Sequence, residues 1–202
     1  MKTYFVTGIS TEVGKTIASA ILVEALQADY WKPIQSGELD YGDAQKVEKL
    51  ISNSTSQFHN NSYALKTPMS PHAAAEIDGI IIDLKKIKPP KTKNHLIIEG
   101  AGGLLVPLNN SNTILDIIPK KAEVIVVSRH YLGSINHTLL TLNLLEQKGF
   151  KTKIIFSGDK HPTTEDIILK MSNTEFIGRI NEEPYFDKNV IKEYAQLFKD
   201  KL

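Results

Sequence analysis

Apolar and polar positions along the chain follow two alternating rhythms. Short runs without polar alternation, TYFVT at 3–7, HLIIE at 95–99, EVIVVS at 123–128 and KTKIIFS at 151–157, predict buried strands. TEFIGRI, ending at Ile180, adds another, and YWKPI at 30–34 reads as a short strand or loop. The stretches between them have a helical period. Residues 14–27 place Ile17, Ala20, Ile21 and Ala25 near 3.6-residue spacing; 43–51, 134–149, TTEDIILKMS and the terminal KNVIKEYAQLFKDKL read as further helices. The helix over 134–149 ends at Gly149, a residue suited to the left-handed turn that leaves a helix. Apolar, unalternating strands separated by helices predict an α/β, doubly wound, mostly parallel sheet flanked by helices, with ligands at the carboxyl ends of its strands. Residues 53–94 are less regular and are expected to make a long excursion over that active face, with KKIKPPKTKNH as a solvated basic connector. Neither a repeat nor a boundary interrupts residues 1–202, so one domain is expected.

Composition removes several classes of chemistry. The chain has 24 basic and 23 acidic residues, a net charge of +1 and no cysteine. Balanced charge gives no footprint for nucleic acid or an anionic membrane. Without cysteine there are no disulfides, no thiolate catalysis and no Cys-ligated zinc or iron–sulfur site. The first 30 residues lack a signal-peptide core, and no apolar run reaches membrane-spanning length, so a cytoplasmic protein is expected. The six histidines, His59, His72, His95, His130, His137 and His161, have no metal-ligand spacing.

Three segments carry candidate chemistry. The first is GISTEVGKT, where five residues rather than four separate Gly8 from Gly14. A strand precedes it and a helix comes after, as a phosphate-binding loop requires. Its amides face an anion, Lys15 can reach β- and γ-phosphates, and the Thr16 hydroxyl can ligate Mg²⁺. The second is HLIIEGAGGLLVPL at 95–108, which ends a buried strand on Glu99, a position for a second Mg²⁺ ligand, followed by Gly100, Ala101 and Gly102. The third is YWKPIQSGELDYGDAQKV at 30–47. It offers Lys32 beside the active edge, Ser36 for a polar substrate, and Asp43 either as a third carboxylate-type ligand or as a helix cap.

GISTEVGKT, KPIQSG, GDA, EGAGGLLVPL and LGSINHTLLT, in this order over about residues 3–145, resemble the dethiobiotin synthetase family. The longer loop before Gly14-Lys15-Thr16 is similar to that family's own form of the P-loop NTPase motif. The resemblance implies Mg²⁺- and ATP-dependent ring closure from 7,8-diaminononanoate and CO₂ or bicarbonate, through a carbamate and a carbamic–phosphoric anhydride, as in biotin synthesis. It implies Lys32 and Lys15 as catalytic cations and Thr16, Asp43 and Glu99 around the metal. Glu12, Val13, Gly14, Ile17, Gly100, Ala101 and Gly102 would sit with Lys15 at the nucleotide. Thr11 and Ser36 would meet the diamine or carbamate. Leu132, Gly133, Ser134, Ile135 and Asn136 would bind the substrate carboxylate across a homodimer interface; as a plain helix start, Ser134 would be the cap. On this reading Lys32→Ala keeps the fold and loses most turnover.

The chain departs from the family in places. Gly158 stands where relatives place an adenine-recognising Asn, Asn181 where a Pro is expected, and Tyr131 where some carry a basic residue. Base recognition is therefore expected to be weakened or relocated. TPMSPHAAA at 67–75 is similar to a family segment near the substrate cavity. Two rivals fare worse. Amidating ligases of this branch often carry a glutaminase domain with a catalytic Cys, absent here. Dimeric switch ATPases that bind a protein or DNA partner commonly carry a lysine where this chain has Ser10.

Overall fold

A computed structural model describes residues 1–202. In chain order the elements are β1 (Thr3–Gly8), α1 (Lys15–Leu26), β2 (Asp29–Trp31), β3 (Ile34–Ser36), α2 (Asp43–Leu50), β4 (Phe58–His59), β5 (Tyr63–Leu65), α3 (Pro71–Ile77), β6 (Leu96–Glu99), β7 (Glu123–Arg129), α4 (Ser134–Gln147), β8 (Thr152–Ser157), α5 (Pro162–Ser172), β9 (Glu175–Ile180) and α6 (Lys188–Phe198). Seven strands form one sheet in the order β4-β2-β6-β1-β7-β8-β9. Every pairing in it is parallel, and β3 and β5 form a separate parallel pair.

The two faces explain the unalternating strands. Successive β-residues point to opposite sides, and here both sides are dry. Tyr4 and Val6 face a core built with Ala18, Ile21, Leu22 and Ala25 of α1, Val47 of α2, and Ile191, Tyr194 and Phe198 of α6. Phe5, Val124 and Val126 face the opposite core, with Leu142 and Leu145 of α4 and Ile168 of α5. The terminal helix is capped by Asp187, whose side chain accepts from the amides of Asn189 and Val190. The two-sided cover makes the expected α/β sheet.

Residues 53–94 are more ordered than their composition suggests. They supply edge strand β4, strand β5 and the short α3, which starts at Pro71. The turn from Pro68 to Pro71 lies against the cleft beside the carboxyl end of β1, so part of the excursion does cover the active face. YWKPI splits into β2 and β3, with Lys32 just past the end of β2 rather than inside a strand.

Candidate active site

The phosphate loop is built at the carboxyl end of central β1. Gly8 admits no side chain, because a Cβ there would lie 2.5 Å from Val13 Cγ2 and 2.6 Å from the Ser10 carbonyl oxygen. Gly14 is the N-cap of α1 with φ 90°, a left-handed conformation that glycine adopts without steric cost. It offers no side chain to cap the helix, so the first-turn amides stay available to an anion. The Val13 side chain is buried in the α1 core, so only its backbone faces the loop. The Lys15 ammonium donates to the Ser10 carbonyl at 3.2 Å. Burial, and then the nearby Lys32 charge, pull the Lys15 pKa down to about 8 against the opposing pull of Glu99 and Asp43.

Lys32, Asp43 and Glu99 converge from three distant segments. The Lys32 ammonium is 2.6 Å from Asp43 Oδ2, and 3.1 Å from both Glu99 Oε1 and the Gly100 carbonyl. Lys32 is 4% exposed and Glu99 1%. Burial opposes the Lys32 charge, but Glu99 and Asp43 overcome it and raise its pKa above the ordinary lysine value. Burial likewise pushes Asp43 upward, yet the Lys32 charge and hydrogen bond, aided by Lys46 and Thr16, hold it below the usual carboxylate range. Glu99 also accepts from Thr16 Oγ1 at 3.0 Å and, through its other oxygen, from the Tyr30 hydroxyl at 2.9 Å. Burial and the Glu99 charge drive the Tyr30 phenol well above its ordinary pKa, so it stays a donor.

These groups open on a cleft of about 760 Å³. Thr11, Glu12, Gly14, Lys15, Thr16, Ile17, Ser36, Asp43, Glu99, Ala101 and Gly102 all line it, so most of the expected residues come together. Gly100 does not. It packs under the Phe5 ring and turns its carbonyl to Lys32. Ser36 has a buried hydroxyl oxygen with no hydrogen-bond partner. Leu132, Gly133, Ser134, Ile135 and Asn136 also lie elsewhere, on a separate depression with His130 and His161. There the helix cap is Gly133 at φ 101°, not Ser134, which is already the first residue of α4.

Three residues in or behind the cleft wall gave no sequence signal. Tyr30 reads as a strand aromatic. Lys46, paired with Glu38, and Arg129, which donates to both Glu182 oxygens at 2.9 and 3.1 Å, read as surface charges. Gly158 sits beside Glu182, whose Oε2 would lie 3.7 Å from a Cβ at that position. The Asn181 amide donates to the Tyr194 hydroxyl.

Thr16, Asp43 and Glu99 suit a hard divalent cation. All offer oxygen, and the two carboxylates already share one cation, the Lys32 ammonium. No three His, Cys, Asp or Glu side chains converge anywhere, so such an ion would draw its other ligands from phosphate and water.

The family model described as an AAA domain matches residues 2–190. The ATP-dependent dethiobiotin synthetase BioD of Christiangramia forsetii is 61% identical over 202 residues, covering 100% of this chain and 98% of that protein. The same enzyme of Cytophaga hutchinsonii is 48% identical over 198 residues, 96% of each chain. Among solved structures, the MinC:MinD cell division protein complex of Aquifex aeolicus matches at TM-score 0.61 with 14% identity, over 100% of this chain and 95% of that one. A plasmid partition protein of Borrelia burgdorferi matches at TM-score 0.58 with 15% identity, over 100% of this chain and 99% of that one. At such identities these structural likenesses establish the P-loop fold alone.

Proposed function

The chain belongs to the ATP-dependent dethiobiotin synthetase family, and from that premise we propose an assignment of its ring-closing chemistry to individual residues. The enzyme is an ATP-dependent cyclo-ligase of biotin biosynthesis. One amine of 7,8-diaminononanoate captures CO₂ as a carbamate. The carbamate oxygen attacks the γ-phosphorus and ADP leaves, giving a carbamic–phosphoric anhydride. The second amine attacks the carbonyl and phosphate leaves, which closes the ureido ring.

The observation that carries the residue assignment is the Lys32 ammonium, buried at the cleft wall and pinned by two carboxylates beside the phosphate loop. Two anions, carbamate and triphosphate, must meet there. Lys15 and the amides of residues 12–17 hold the phosphate chain, and Lys32 screens the approach of the carbamate. Thr16, Asp43 and Glu99 are the residues that would hold Mg²⁺, which when bound neutralises charge on the β- and γ-phosphates. Ala101 and Gly102 border the phosphates; Thr11 and Ser36 border the diamine. The whole of residues 1–202 acts as one catalytic domain.

We further propose a homodimer. Leu132–Asn136 line a depression separate from the cleft, with Leu132 exposed in it and the exposed Leu105 and Leu140 on another depression. A second copy of this chain would cover them and bring the 132–136 amides to the substrate carboxylate. No helix is long and apolar enough to cross a membrane; a cytoplasmic enzyme fits its small, charged substrates.

Incubation with the diamine, bicarbonate, Mg²⁺ and ATP, followed by mass detection of dethiobiotin, tests the activity. Phosphate release without ring product would overturn it. Sedimentation velocity tests the dimer: a monomer at micromolar concentration that still makes product would remove the trans contribution of Leu132–Asn136.

A further inference from the structure

Glu99 accepts three side-chain donors, and they are not equivalent. Thr16 Oγ1 and Lys32 Nζ both bond Oε1, at 3.0 and 3.1 Å. The Tyr30 hydroxyl alone bonds Oε2, at 2.9 Å. Thr16 and Lys32 line the cleft, and on the function proposed above each has a second task there, Thr16 at the metal and Lys32 at the carbamate. Tyr30 does not line the cleft and is 0% exposed.

The sheet register explains its reach. Tyr30 pairs with Ile97 across the parallel β2–β6 ladder. Glu99 lies two residues further along and so on the same face. The phenol spans that diagonal, and its ring is fixed on the other side by Phe58 of edge strand β4, at 5.6 Å between centroids.

We propose that Tyr30 is a positioning residue for Glu99: it anchors Oε2 so that Oε1 can exchange its donors for a divalent cation without the carboxylate swinging. Thr16 and Lys32 must leave Oε1 when nucleotide and metal arrive. Tyr30 has no cleft-side acceptor to leave for, so its bond persists through the cycle. A phenylalanine keeps the ring packing and removes only the anchor. Outer-shell donors to ligating carboxylates typically alter metal affinity by about 10–100-fold.

This rests on the cleft binding a metal–nucleotide complex. The test uses the full chain, Mn²⁺ as the probe read by electron paramagnetic resonance, and a non-hydrolysable ATP analogue. Binding of the analogue is also measured in EDTA. In Tyr30→Phe, Mn²⁺ affinity in the presence of the analogue is expected to fall about tenfold, while analogue binding in EDTA stays within about twofold. Unchanged Mn²⁺ affinity, or parallel loss of both, would overturn the positioning role. Failure of the wild-type protein to bind Mn²⁺ with the analogue would instead overturn the functional reading beneath it, and this inference with it. If Tyr30→Phe does not fold, wild-type protein carrying ¹³Cζ-tyrosine supplies the second measurement. The chain has 7 tyrosines, and Tyr30 is the resonance displaced in Glu99→Gln. It should not move when Mg²⁺ and the analogue bind; a displacement like that in Glu99→Gln would sink the proposal.

Discussion

Replacing Lys32 by alanine removes the cation shared by Asp43 and Glu99 and leaves both carboxylates in place. Glu99 is 1% exposed and Asp43 largely covered, with no other ammonium within 4 Å of either. Breaking a buried ion pair from one side costs about 3–5 kcal/mol. A chain of this size loses roughly 2–4 °C of Tm per kcal/mol, so Lys32→Ala should melt on the order of 10 °C below wild type. The sequence-based expectation that this variant keeps its fold therefore holds only with a marked loss of stability. Magnesium supplies the internal control. A cation at 100 times its Kd returns about 2.7 kcal/mol, and the variant should gain more from it than wild type, where Lys32 competes. The pH response should invert as well. In wild type, Asp43 titrates below its ordinary value; the stability it adds is present above the ordinary carboxylate range and is lost as pH falls through the depressed value. Without Lys32, burial dominates and raises Asp43, so lowering pH from about 7 to 5 should stabilise Lys32→Ala and not wild type. Turnover should fall by about 10²–10³. Thermal unfolding followed by Trp31 fluorescence, with and without Mg²⁺ at both pH values, checks the energetics. A variant that melts with wild type and ignores Mg²⁺ would refute the shared-cation argument, and near-normal turnover would remove Lys32 from the chemistry.

Lys15, with a pKa of about 8 in the free protein, should be fully charged on a triphosphate. Nucleotide binding should then take up roughly half a proton at pH 8 and weaken above it, as the proton must be supplied; calorimetry in buffers of differing ionisation enthalpy measures this, and zero uptake would refute it. Arg129→Ala should raise the KM for ATP about fivefold with kcat unchanged, the ~1 kcal/mol of a half-exposed charge contact; steady-state kinetics at two salt concentrations decides. Glu165 is held at about 2: burial pushes it up, but the Arg179 fork, the His161 amide and His130 outweigh that. Glu165→Gln strands Arg179 and should cost roughly 3 kcal/mol in urea unfolding at pH 7, a difference that shrinks only as pH falls below about 4 toward 2, where wild-type Glu165 itself protonates.

How much is legible in the chain depends on sequence distance. The phosphate loop is local: strand, Gly8, Gly14, Lys15 and Thr16 lie within one turn, and the sheet class comes from runs whose polarity does not alternate. Lys32, Asp43 and Glu99 each stand out separately, but their sharing of one point depends on β2 lying beside β6, a pairing between residues 29–31 and 96–98 that no local pattern encodes. Tyr30 is invisible for the same reason, since its partner is 69 residues away. The turn of the Gly100 carbonyl toward Lys32 is not legible, because a glycine run reads as uniform and the Phe5 ring that packs on Gly100 is distant in sequence. The order in residues 53–94 is hidden by short elements that close on distant partners, β3 with β5 and β2 with β4.

The cleft's charge balance bears on the role of the divalent ion proposed above. Four cations, Lys15, Lys32, Lys46 and Arg129, line it with four carboxylates, Glu12, Glu38, Asp43 and Glu99. Three of the cations are already paired: Lys32 with Asp43 and Glu99, Lys46 with Glu38, and Arg129 with Glu182. Only Lys15 has no carboxylate within 4 Å, and burial has loosened its proton. A triphosphate entering alone therefore meets one weakly held positive charge and the backbone amides. In the role proposed for it, Lys32 cannot turn to a carbamate while it is the one ammonium within 4 Å of the buried Glu99 and the partly buried Asp43, because leaving them strands their charge. Its release requires another cation between Asp43 and Glu99, so the metal, the nucleotide and the freeing of Lys32 become one coupled event. Nucleotide and Mg²⁺ should bind with positive cooperativity, each tightening the other by the same factor, and in Lys32→Ala that factor should shrink, because no ammonium then competes for the metal's place. Equal cooperativity in the variant and the wild type, measured by calorimetric titration of each ligand in the presence and absence of the other, would break the link between metal binding and the release of Lys32.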